Sequence, residues 1–68
     1  MNLSVETEQE ADGRWIAEIA QIPSVLAYGA SRKEAISRVE ALALRVLADR
    51  LEHGEMPHEL DEVFSVAA

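Results

Sequence analysis

Glu6, Glu8, Glu18, His53 and His58 are the residues of this 68-residue chain whose types and spacing come nearest to catalytic or metal chemistry. Metal-assisted hydrolysis needs several carboxylates converging on a cation such as Mg²⁺. Glu6, Glu8 and Glu18 can share one face of a hairpin, but that face would be exposed, and no buried acid is evident to fix a metal. His53 and His58 stand five apart across Gly54 and Pro57, beside Glu55 and Glu59. Zinc wants ligands that converge tetrahedrally, and this spacing matches no helical ligand pair. His53 reads better as a cation at a helix C-terminus, where the dipole favours it. No Ser-His-Asp set and no Gly-rich phosphate loop is present. The chain is therefore expected to be no enzyme, with no metal and no cofactor, and its acids point to binding.

The charge distribution says what could be bound. Net charge is −7, with 13 acids against 6 basic residues. The first thirty residues hold Glu6, Glu8, Glu10, Asp12 and Glu18 against Arg14 alone, and residues 54–68 hold four acids and no base. The five remaining basic residues lie between, in a nearly neutral stretch. Nucleic acid needs a basic footprint, so direct binding to it is not expected. A basic protein is the natural complement, and plain solubility is the other reading of the same acids.

These acids need elements to position them. Residues 3–9 alternate, with Leu3, Val5, Thr7 and Gln9 on one side and Ser4, Glu6 and Glu8 on the other, as in a half-buried strand. Ala11-Asp12-Gly13 is a turn signal, and a second strand runs from Arg14 to Ala20. A two-residue loop would set the glutamates opposite Ile19, Ala17 and Trp15. A three-residue loop sets Val5, Thr7 and Gln9 opposite them instead. A one-residue slip moves every side chain to the wrong face, so the three-residue loop is predicted, with Gly13 left-handed at a bulge. Glu6, Glu8 and Glu18 then share the outer face.

Gln21-Ile22-Pro23-Ser24 is expected to break the second strand, because Pro cannot donate to a ladder. Val25–Ala30 is a predicted short third strand, with Gly29 marking a bend or a close backbone approach. Ser31-Arg32-Lys33-Glu34 is a capping box, in which Glu34 can reach back to the Ser31 N–H. It opens a helix that ends at Gly54, with Pro57 forbidding a restart. Ala35, Ile36, Val39, Leu42, Ala43, Val46 and Leu47 make its apolar face, and Leu44 and Leu51 widen it. Leu60–Val66 is a predicted fourth strand, with an acidic tail as the alternative. Trp15 and Tyr28 read as core or sheet-face residues.

The expected fold is one α+β domain over residues 1–68: strand-strand-strand-helix-strand, one helix on a mainly antiparallel sheet. A chain this short buries only about 60% of its unfolded surface. With no Cys it has no disulfide or thiolate metal site to help, and it fits a reducing compartment. It is therefore expected to gain stability by association. A 23-residue helix from Ser31 to His53 spans about 34 Å and overshoots its strands. Leu44, Leu47 and Leu51 sit where it projects, giving a homodimer or tetramer interface. No apolar run approaches the ~18 residues of a membrane span, and no signal peptide opens the chain. A cytoplasmic protein without membrane contact is expected.

The stretch Ile22-Pro23-Ser24-Val25-Leu26-Ala27-Tyr28-Gly29-Ala30-Ser31-Arg32-Lys33-Glu34-Ala35 resembles the HicB-like antitoxin family. That family has a Gly-containing turn, a Leu/Ile-Pro pair, a short strand, and Gly-x-Ser/Thr-x-x-Glu-Ala opening a helix. Here these are Asp12-Gly13, Ile22-Pro23 and Gly29 to Ala35, over nearly the whole chain. Ser24-Val25 departs from the Gly-Cys often found after the Pro. The resemblance implies a degraded, inactive RNase H type fold. It also implies a protein that neutralises a small basic HicA-like toxin, an mRNA-cleaving ribonuclease. The helix-turn-helix or ribbon-helix-helix domain of many family members has no counterpart before Ala68, so operator binding is not expected. The alternative is a solitary oligomeric scaffold or regulator with this fold and no toxin. For the toxin reading, Glu6, Glu8 and Glu18 are the candidate contacts.

Overall fold

The computed structural model describes residues 3–55 together with 64 and 67. Three antiparallel strands come first, β1 (Val5–Gln9), β2 (Trp15–Ile19) and β3 (Ile22–Gly29), in the spatial order β1-β2-β3. One helix, α1 (Arg32–Glu52), then packs across one sheet face. This is the expected α+β arrangement. The expected fourth strand, Leu60–Val66, lies outside the described residues except for Phe64, which is exposed.

The first hairpin has the register that burial demands. Val5 pairs with Ile19, Thr7 with Ala17 and Gln9 with Trp15. The loop closes through Gly13 N–H to Glu10 O at 2.9 Å and Glu10 N–H to Arg14 O at 2.7 Å. Gly13 has φ 93°, the left-handed conformation that a glycine adopts without cost. Asp12 finishes the turn by accepting from both the Arg14 backbone N–H and its Nε, at 3.0 and 2.8 Å.

The second hairpin corrects an expectation. β3 begins at Ile22, and Pro23 lies inside it. Ile22 pairs with Ile19, but the next pair is Leu26 with Glu18, so Pro23, Ser24 and Val25 bulge out of the ladder. A bulge asks for no donor at Pro23, and it resets the alternation. Ile22 and Val25 are three apart and would face opposite ways in a regular strand, yet both are buried under the helix.

The core is Ala17, Ile19, Ile22 and Val25 from the sheet and Ala35, Val39, Ala43 and Leu47 from the helix. Leu42 and Val46 pack against them and Ile36 is half-buried, so the predicted apolar face is the one that packs. Small residues bring the two layers close. A Cβ on Gly29 would stand 2.5 Å from the Ala35 backbone nitrogen, so the chain can turn from sheet to helix there only without a side chain. The Ser31 hydroxyl accepts from the Glu34 N–H at 3.1 Å, as a cap should. Glu34 reaches back one residue further than expected, to the Ala30 N–H at 3.1 Å, while also holding Arg38 at 3.1 Å. Among the described residues, no helix is long and apolar enough to cross a membrane.

Candidate functional site

Because α1 covers one face of the sheet, the alternation of each strand delivers its other residues to the opposite face, which no described element covers. Two cross-strand rows result. Glu6, Glu18 and Leu26 form one, and Glu8, Ile16 and Tyr28 form the next. The three predicted glutamates are therefore brought together on one exposed face. Glu6 lies directly opposite Glu18, and Glu8 is diagonal to Glu18, within about 8 Å in ladder geometry. Among the described residues no ion pair reaches any of the three. They line, with Thr7 and Ile16, a shallow depression of about 100 Å³.

Of the apolar half of this face, the sequence places Ile16 with the acids and reads Tyr28 as a core or sheet-face residue, but leaves Leu26 unassigned. Leu26 and Tyr28 are 39% and 40% exposed beside the acids, and Ile16 is half-buried between them. Arg14 lies over the Tyr28 ring, its guanidinium carbon 5.0 Å from the centroid. That stacking is a cation–π contact. The signal was available in the alternation of Leu26 and Tyr28 with Ala27. It became readable only once the β2–β3 register was known.

The same face does not assemble a metal site. Among the described residues no three of His, Asp and Glu stand close enough together to hold an ion. His53 caps the helix, with Nδ1 2.8 Å from Asp49 O and 3.5 Å from the Asp49 carboxylate. His58 lies outside the described residues.

The three leucines expected at an oligomer interface separate. Leu47 is 2% exposed and belongs to this chain's own core, one turn beyond Ala43 on the buried face of the helix. Leu44 is 62% exposed and Leu51 39%. Sequence periodicity placed Leu47 both on the buried arc and on the projecting end, and packing against the sheet decides for the former. A second concavity, an apolar groove of about 160 Å³, runs between the β1 edge and the helix, lined by Leu3, Val5, Ile19, Glu40, Ala43 and Leu44.

Comparison with protein-family models, with curated proteins and with solved structures gives no match for this chain.

Proposed function

We propose that the chain is a non-catalytic binding domain of antitoxin type, whose uncovered sheet face receives a small basic protein. The observation that carries this reading is the set of three glutamates that no cation among the described residues pairs with, on one face, two of them directly opposed. Like charges facing across a ladder destabilise folding, so a complementary partner would recover what the isolated domain gives up. Leu26 and Tyr28 beside them supply apolar contact area, which charge alone lacks. The resemblance in the Gly13 turn, the Ile22-Pro23 pair and the helix opening at Gly29 names the class of partner: a HicA-like mRNA-cleaving toxin. A cytoplasmic location fits such a partner.

A second reading has its own observation. Leu44 and Leu51 leave apolar surface on the helix, which suits a solitary oligomeric scaffold with no toxin. Co-expression with each small neighbouring reading frame decides between them. A stoichiometric, salt-sensitive complex with a basic protein that is toxic alone supports the first. In that case changing Glu6, Glu8 and Glu18 to Lys must abolish neutralisation while the fold persists. A homo-oligomer with no companion, or a triple variant that still neutralises, overturns it.

A further inference from the structure

The two edges of the sheet differ. At β1, the Ala20 N–H donates to Ser4 O and the Glu10 N–H to Arg14 O, at 3.0 and 2.7 Å. Antiparallel ladders bond at every second residue, so Glu6 and Glu8 also turn their backbone groups to β2. Val5, Thr7 and Gln9 turn theirs outward. Among the described residues β1 has β2 as its one neighbour, and no hydrogen bond reaches those outward groups. The β3 edge is guarded instead. Arg38 Nη1 donates to the Tyr28 carbonyl at 3.0 Å, and Pro23 offers no N–H within its bulge.

The open edge lies beside the apolar groove formed by Leu3, Val5, Ile19, Ala43 and Leu44, which Glu40 also lines. A strand laid along β1 alternates its side chains between that groove and the face of Glu6 and Glu8. We infer that β1 takes up an extended segment of the basic partner, its apolar side chains toward the groove and basic ones, two residues apart, beside Glu6 and Glu8. This rests on the reading of a basic partner given above and adds how that partner is held. Main-chain bonds to Val5, Thr7 and Gln9 supply affinity, and the alternation selects the sequence.

Charge separates this occupant from the two that the chain itself could supply. A second β1 laid antiparallel about Thr7 puts Glu6 beside Glu8 of the second copy, twice over. Shifting the axis by one residue sets Glu6 or Glu8 against itself. Residues 60–66 carry Asp61 and Glu62 side by side. Neighbours in a strand face opposite ways, so along β1 either placement would bring one acid to the face of Glu6 and Glu8. Like charges across a ladder are unfavourable and opposite ones favourable. A segment alternating base and apolar residue is the one that suits both sides of β1.

The probe is an eight-residue peptide alternating Lys and Val, titrated into the full chain while amide hydrogen exchange is followed by NMR. In the free chain Val5, Thr7 and Gln9 should exchange fast, and Glu6 and Glu8 slowly. Bound peptide should slow the first three at least about tenfold, and added salt should weaken it. Gln9→Pro removes one outward N–H at an exposed position. It should weaken binding at least about threefold, with circular dichroism unchanged. A peptide alternating Glu and Val should bind at least about tenfold more weakly. Three amides already protected in the free chain would mean that the chain fills its own edge, and would overturn the inference. So would a Lys–Val peptide that does not bind, or an acidic one that binds as well. Binding that shifts Leu26 and Tyr28 but leaves the three amides exchanging as before overturns strand addition alone and keeps the sheet face as the contact. Failure of the partner reading looks different. Co-expression then yields no basic companion while the peptide still protects the three amides, which supports the edge as a site and removes only the toxin.

Discussion

Glu6 faces Glu18 across the β1–β2 ladder, and no cation among the described residues pairs with either. Replacing one of them with a base converts a repulsive pair into an attractive one. Glu18→Lys should therefore stabilise the domain by about 0.5 kcal/mol, within the range of cross-strand charge pairs. Thermal unfolding would show a higher midpoint, while affinity for a basic partner falls. A variant that gained stability and kept full binding would remove Glu18 from the interface.

Two glycines should fail for different reasons. Gly29→Ala drives a Cβ into the Ala35 backbone nitrogen at 2.5 Å, where no side chain can give way. Overpacking of this kind costs about 1–3 kcal/mol, and contact with backbone puts it at the upper end. Gly13→Ala meets no atom within 4 Å and suffers only from φ 93°, at about 1–2 kcal/mol. Asn tolerates the left-handed region, so Gly13→Asn should recover much of the loss. Gly29→Asn should be worse than Gly29→Ala. Urea titrations of the four variants check the order.

Leu47 and Leu44 lie three residues apart on one helix and should behave oppositely. Leu47→Ala empties a site in the core and should cost about 2–5 kcal/mol. A 68-residue domain holds only about 3–10 kcal/mol in total, so this variant should be largely unfolded at modest denaturant. Leu44→Ala should change the stability of the single chain by no more than about 0.5 kcal/mol. Equal losses at the two sites would mean that Leu44 is also buried.

Asp12 provides a pH signature at the hairpin tip. The Arg14 backbone N–H, and then its guanidinium, hold the Asp12 carboxyl below its ordinary value of 3.8. The folded value lies below the unfolded one. Any stabilisation is therefore present above the unfolded value and is lost as pH falls through the folded one. Carboxyl carbon shifts followed by NMR should show Asp12 titrating below 3.8. In Arg14→Ala the backbone donor survives, so most of the depression should too.

The first hairpin and the helix were legible because each is over-determined locally. Gly13 and the alternation of Val5, Thr7 and Gln9 admit one register without exposing the core, and Ser31 and Gly54 mark the ends of the helix. Pro23 misled because a bulge breaks the period of two that identifies a strand. Its effect, aiming both Ile22 and Val25 at the helix, appears only when the ladder is drawn. The acids of the candidate face were found from the hairpin alone. Leu26 and Tyr28 were not joined to them, because their place depends on pairing with β2 across that bulge. Leu47 was misassigned because helix periodicity gives a direction but not the length of sheet beneath it.

A two-layer domain has two outsides, and here they differ in kind. The sheet side carries Glu6, Glu8 and Glu18 beside Leu26 and Tyr28, while the outward side of the helix mixes Leu44 and Leu51 with exposed charges of both signs. Neither set of side chains belongs to the core between the layers. Each outside can therefore be rewritten alone, and a change on one leaves the other as an internal control for folding.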